Sequence, residues 1–208
     1  LVTPYSTLNV DIAINDGKIA SLSRFSTPPL ADKIIDATDK FILPGYIDAH
    51  VHMGMWHPFE RDVQTETGSA ICGGVTTLME YMIPNTYQQE EPHESLLDAL
   101  PQYLEPINQK AYADVALIGV VSKDSHVQEI KGMIERGVSS FKLFTHEKLL
   151  YKTSSKPGAP AFPIRGVDDG LLYTTFDAVK DVGGLPKIHA ENIEVGLKLA
   201  PKYISRTD

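Results

Sequence analysis

Apolar and polar positions alternate along the first forty residues, and then the rhythm changes. Leu8-Asn-Val-Asp-Ile-Ala-Ile14 and Lys18-Ile-Ala-Ser-Leu22 flank Asn15-Asp16-Gly17, a pattern that predicts two antiparallel strands joined by a tight turn. Thr27-Pro28-Pro29 predicts a connection and Lys33-Ile-Ile-Asp36 a third strand. Residues 1–41 are therefore expected to be part of a small β-sandwich domain, too small to bury much by itself.

From Phe41 onward, strands that are apolar throughout alternate with helical spacing. The predicted strands are Phe41–His52, Val75–Met82, Ala113–Val121, Ser139–Phe144 and Leu185–His189. Glu66–Gly73, Glu94–Asn108, Val127–Arg136 and Asp168–Val182 carry the helical repeat, as in Leu96/Leu97/Leu100/Leu104 and Ile130/Met133/Ile134. Apolar strands each followed by a helix predict an α/β protein with a parallel sheet covered on its faces. A barrel and a doubly wound sheet both satisfy this pattern. The absence of G-x-G-x-x-G or a P-loop after the first strand weighs against a nucleotide-binding sheet.

Composition narrows the partners. The 208 residues are 42% hydrophobic and 22% charged, with a formal net charge of −8. That balance suits a soluble domain and disfavours a nucleic-acid partner, which needs a basic face. Cys72 is the single cysteine, so no internal disulfide forms, and a reducing, cytoplasmic location is the simpler expectation. No apolar run approaches the ~20 residues of a transmembrane helix, and Leu-Val-Thr-Pro-Tyr at the start lacks the features of a secretory signal. A membrane partner is not expected.

Chemistry gathers at strand ends. His50-Val-His52 closes the first parallel strand, and residues two apart in an extended chain face the same way, so both imidazoles reach one point. Ser140-Phe-Lys142-Leu-Phe144 sets a lysine among apolar neighbours, and Lys187-Ile-His189-Ala-Glu191-Asn192 ends in another histidine. In parallel α/β folds the C-terminal strand ends share one side, where active sites are built. Taken singly, each residue has a plainer explanation. A lone strand-end histidine is more often a hydrogen-bonded structural group than a ligand, and a lone lysine is more often a snorkelling surface residue. His57, His93, His126 and His146 fall in segments expected to be loops or strand margins, and Cys72 is expected to serve packing.

The combination has a family. Pro44-Gly45-Tyr-Ile-Asp48-Ala-His50-Val-His52 resembles the P-G-x-I-D-x-H-x-H signature of the amidohydrolase superfamily. The similarity continues through Glu66-Thr67-Gly68, Gly73-Gly74-Val75-Thr76-Thr77, Ser140–Phe144 and Ile188–Asn192, in the order and spacing of the cyclic-amide branch, the dihydropyrimidinases and hydantoinases. The resemblance implies a metal-dependent (β/α)8 TIM barrel over residues 42–208, of which about five of eight strands are present. It implies His50 and His52 as ligands of one divalent ion, His189 as a ligand of a second, and Lys142 as a lysine carbamylated by carbon dioxide to bridge both. Zinc is the metal that histidine-rich sites favour, with manganese and iron as the alternatives. The implied reaction is hydrolysis of the amide bond of a small cyclic ureide or imide, of dihydropyrimidine or hydantoin type, by a metal-bridging hydroxide. Asp48 is expected to orient a ligand imidazole. The complete protein is expected to be a homo-oligomer, a tetramer or dimer.

Two departures bear on this. The family's tyrosine five residues beyond the bridging lysine is replaced by Glu147, and a carboxylate does not donate to an oxyanion unless protonated. His146 and Tyr151 are the candidate substitutes. The family's further histidine ligand and its catalytic aspartate have no counterpart before Asp208, so the chain is expected to be a fragment that shows no hydrolysis alone. Dihydroorotases carry an arginine where Gly54 stands, which argues against that activity. The alternatives are an allantoinase-like hydrolase and a non-enzymatic dihydropyrimidinase-related interaction protein.

Overall fold

The computed structural model describes residues 1–25, 30–55, 57–83, 95–145 and 166–204. The chain forms two compact units, Leu1–Gly45 and Tyr46–Asp208. In the first, β1 (Asp11–Asn15) and β2 (Lys18–Ser23) pair antiparallel with Asn15 opposite Lys18. The two-residue turn places Asp16 and Gly17 at φ 50° and 71°, the positive pair that matches hairpin twist. Lys33–Asp36 is not a strand. Ile34 and Ile35 are 68% and 75% exposed, and no described segment offers the ladder partner that would stabilise it. The Thr27-Pro28-Pro29 connection lies outside the described residues.

The second unit alternates strand and helix: β3 (Tyr46–Val51), α1 (Phe59–Cys72), β4 (Val75–Met82), α2 (Leu96–Lys110), β5 (Asp114–Val120), α3 (Asp124–Glu135), β6 (Ser140–Phe144), α4 (Asp169–Asp181), β7 (Leu185–His189) and α5 (Ile193–Ile204). The five strands form one parallel sheet in the order β3-β4-β5-β6-β7. Its outer face packs on the helices through Met82, Leu117, Phe141 and Leu143 against Leu96, Leu100, Tyr103, Ile130, Met133 and Val179. Its inner face carries a smaller cluster of Tyr81, Ile83, Ile118, Val120 and Phe144, with Met79 beside it.

The sheet is curled. Lys187 Nζ on β7 lies 3.5 Å from the Ala49 carbonyl oxygen on β3, although three strands separate them. In a flat sheet four inter-strand steps of ~4.8 Å would put these strands far beyond the reach of one lysine. Curvature of this kind makes a half-barrel of the five strands.

Several boundaries differ from the sequence pattern. The first parallel strand begins at Tyr46 rather than Phe41, because Pro44 has no N–H for a ladder. Helix α1 begins at Phe59, well before Glu66; its buried spine is Phe59, Val63 and Thr67, and the polar Thr67 hides the i, i+4 repeat. In α2 the buried face is Leu96, Ala99, Leu100, Tyr103 and Ile107, whereas Leu104 is 37% exposed. Pro101 and Pro106 lie within this helix, so packing of that face outweighs two missing backbone donors. Cys72 is exposed at the end of α1 and packs against no core. His126 sits not in a loop but on α3, 1% exposed, its Nδ1 accepting from the Ser122 N–H at 3.3 Å. Among the described residues no helix is long and apolar enough to cross a membrane.

Gly184 and Gly196 make opposite predictions. A Cβ on Gly184 would meet Val179 Cγ1 at 2.9 Å and the Ser139 carbonyl oxygen at 3.2 Å, while one on Gly196 meets nothing within 4 Å. Gly184→Ala is expected to destabilise by about 1–3 kcal/mol, and Gly196→Ala, inside α5, to stabilise by about 0.5–1 kcal/mol. Urea denaturation of the two variants checks both signs.

Candidate metal centre

The inner face of the half-barrel is built by strand alternation. On β6, Ser140, Lys142 and Phe144 share a face; on β7, Leu185, Lys187 and His189 do. The β6–β7 register sets Lys142 opposite Lys187 and Phe144 opposite His189. On β3 and just beyond it, Asp48, His50 and His52 form the third row.

The two histidines converge as their spacing predicts. His50 Nε2 and His52 Nε2 are 3.1 Å apart, and both rings lie against Tyr81, with centroids at 4.6 and 4.9 Å. Tyr81 is 2% exposed and forms the floor of the site. Lys142 is no surface lysine: it is 4% exposed, with Nζ 5.2 Å from the Tyr81 ring centroid and 5.1 Å from that of Phe144. His189 lies beside Phe144, ring centroids 5.6 Å apart, and its Nε2 is 3.2 Å from Glu191 Oε2.

Three carboxylates fix the backbone around the histidine pair. Asp48 Oδ1 accepts from the His50 N–H at 3.1 Å and so braces the strand. The buried carboxylates of Glu80 and Asp62 accept from the Met53 N–H at 2.8 Å and the Gly54 N–H at 2.9 Å. Asp62 also lies 3.5 Å from the Nδ1 of the exposed His57. Gly54 itself has φ 75°, a conformation an arginine at that position would adopt only under strain. At the other end, Thr145 accepts from the Glu191 N–H and donates its hydroxyl to the His189 carbonyl, holding the end of β7.

Electrostatics favour neutral donors. Burial first, then the nearby His50 and Lys142 charges, hold the His52 imidazole down at about 4. Burial likewise lowers His50, followed by Lys142, Lys187 and, more weakly, His189, against the opposing Asp48. Near neutral pH both imidazoles therefore present lone pairs. Burial and then Lys187 lower the Lys142 ammonium, and burial lowers Lys187.

Among the described residues no three His, Cys, Asp or Glu side chains gather as a metal cage by themselves. The histidine pair offers two nitrogen donors, and the group facing it is a lysine. That donor set fits a divalent cation only if Lys142 gives up its positive charge and gains oxygen donors, which is the chemistry of a carbamate. The residues thus fit the implied group on this condition. Tyr81, Lys187 and Thr145 also line the site; of these Lys187 carries a sequence signal, its place two residues before His189 on the same strand face. Glu147, His146, Tyr151 and His93 lie outside the described residues.

No family model matches the chain. A D-hydantoinase of Geobacillus stearothermophilus is 31% identical over 203 residues, which cover 94% of this chain and 38% of the relative. A dihydropyrimidinase of Dictyostelium discoideum is 31% identical over 190 residues, covering 88% and 33%. The crystal structure of a D-hydantoinase superposes with a TM-score of 0.74 at 30% identity, covering 98% of this chain and 41% of that one. The shared fold is an α/β half-barrel, the partial TIM barrel of these hydantoinase structures. More narrowly, the chain is a homologue of hydantoinases and dihydropyrimidinases over the part of their length that it spans. It spans only 33% to 41% of the length of these relatives.

Lys142 generates a stability prediction. Among the described residues the partners of buried Lys142 are aromatic rings, and burying an ammonium on such partners costs folding free energy. Lys142→Met is expected to raise the stability of metal-free protein by about 1–3 kcal/mol, read as a higher urea midpoint with an unchanged slope.

Proposed function

We propose that the protein hydrolyses the amide bond of a small cyclic ureide or imide, of the dihydropyrimidine or hydantoin type, and does so with two divalent ions. The observation that carries this reading is the convergence of His50 and His52 at 3.1 Å beside a buried lysine on the inner face of a parallel half-barrel, in a homologue of hydantoinases and dihydropyrimidinases. His50 and His52 would hold one ion through their neutral nitrogens and His189 would serve the other. Lys142, once carbamylated, would offer an oxygen to each. When bound, such a pair of ions supplies a hydroxide nucleophile near neutral pH and polarises the ring carbonyl; zinc suits the imidazole donors.

The chain's own residues prepare that chemistry. Asp48, Glu80 and Asp62 fix the strand end, so the two imidazoles stay aimed at one point. Tyr81 closes the floor beneath them and keeps water from the ring faces. Thr145 holds the β7 end that carries His189. Gly54, with its positive φ, leaves that edge without a cationic side chain, which suits a neutral ring better than a substrate carboxylate. The same reading carries a small β domain built around the Leu1–Gly45 unit, a homo-oligomeric assembly and a cytoplasmic site of action.

The test is made on the full-length polypeptide loaded with zinc and bicarbonate. About two zinc ions per polypeptide and ring opening of dihydrouracil or hydantoin, followed by ultraviolet absorbance, are expected. Lys142→Ala should lower kcat/KM by roughly a thousandfold or more, and a chelator should abolish turnover until zinc returns. Absence of bound zinc after loading, or full activity in Lys142→Ala, refutes the proposal.

A further inference from the structure

Lys187 is the interior group to which the proposed hydrolysis gives no task. It stands opposite Lys142 in the β6–β7 register, and matched positions on neighbouring strands project from the same face. Both Nζ atoms lie over one ring, at 5.2 and 5.9 Å from the Tyr81 centroid. Among the described residues the other contacts of Lys187 are neutral, the Ala49 carbonyl oxygen at 3.5 Å and Met79 Sδ at 3.6 Å. Among the described residues no carboxylate forms an ion pair with either lysine. Asp48, the acid on the same face of β3, spends one oxygen on the His50 N–H. Two ammonium groups held side by side, one of them buried, repel each other. An anion between them removes that cost.

We propose that Lys187 is the counter-cation of carbamylated Lys142, a positioning residue that stabilises the modification before any metal arrives. The inference rests on the carbamylation contained in the proposed function. The unprotonated Nζ of Lys142 forms a bond to the carbon of carbon dioxide, one C=O electron pair moves onto oxygen, and the surplus N–H proton passes to water. Position 142 thereby becomes an anion, and its neighbour across the register turns from a repelling charge into an ion-pair partner. Lys187 also bridges β7 to β3 through Ala49, but that strut needs only a donor, whereas the carbamate needs a positive charge.

Carbon-13 NMR of the metal-free, full-length polypeptide titrated with labelled bicarbonate reads the carbamate directly, without turnover. Wild type is expected to show a carbamate carbon that is absent from Lys142→Met. Lys187→Met should raise the half-saturating bicarbonate concentration roughly tenfold, the effect of losing one charge-assisted hydrogen bond. Lys187→Arg should restore it to within about threefold. Circular dichroism monitors folding, and Lys187→Gln replaces Lys187→Met if the latter does not fold. Equal saturation in wild type and the uncharged variant overturns the counter-cation role and leaves carbamylation standing. No carbamate in wild type, with or without zinc, overturns carbamylation and this inference together.

Discussion

The register between β6 and β7 decides what the inside of this protein contains. Parallel strands that pair Lys142 with Lys187 and Phe144 with His189 send two cations and an imidazole to the same face, because alternation allows no other arrangement once the outer face is apolar. A slip of one residue would turn Phe141 and Leu143, both fully buried against the helices, to the inside and put Lys142 into the helix layer. The large core on the outer face therefore locks the small polar interior. The large apolar core is gathered on one side of the sheet, and the lysines and histidines on the other.

The division is visible in the residues themselves. Ile130, Met133, Leu96 and Val179, none more than 1% exposed, sit between sheet and helices with no polar duty. Inside, the apolar groups are fewer and are chosen for their faces. Tyr81 underlies two imidazoles and two ammonium groups, and an aromatic face attracts cations while excluding water. An aliphatic residue of similar volume would fill the floor without offsetting either charge.

Much of this was legible in the chain. The bounds of Val75–Met82 and Leu185–His189 agree with the sequence pattern, since each strand starts directly after a glycine, Gly74 or Gly184. The histidine pair was legible because a spacing of two is enough to predict convergence on one strand. The companions of the pair were harder to read. That Tyr81 lies under His50 depends on β4 being the neighbour of β3, and that Lys187 reaches Ala49 depends on curvature, which no local pattern encodes. The first turns of α1 give a thin pattern because only Phe59 and Val63 are apolar there, while Asp62 is a polar residue in a buried position. Lys33–Asp36 was misread for the opposite reason: strand-like residues do not make a strand without a partner to pair with.

The backbone around the histidines shows what local precision requires. Consecutive donors at Met53 and Gly54 meet carboxylates from β4 and α1, and the His50 N–H meets Asp48. Glu80, 0% exposed, and Asp62, 7% exposed, are anions buried on folding, a cost that hydrogen bonds of about 1.5–3 kcal/mol each to charged acceptors offset in part. Neutral acceptors such as asparagine would bury more cheaply, but each anion holds its N–H more tightly. The strand end bearing His50 and His52 is thus pinned from three elements, two of which belong to the packed outer layer. Geometry at the mouth is set in part by groups anchored in the packed side of the sheet.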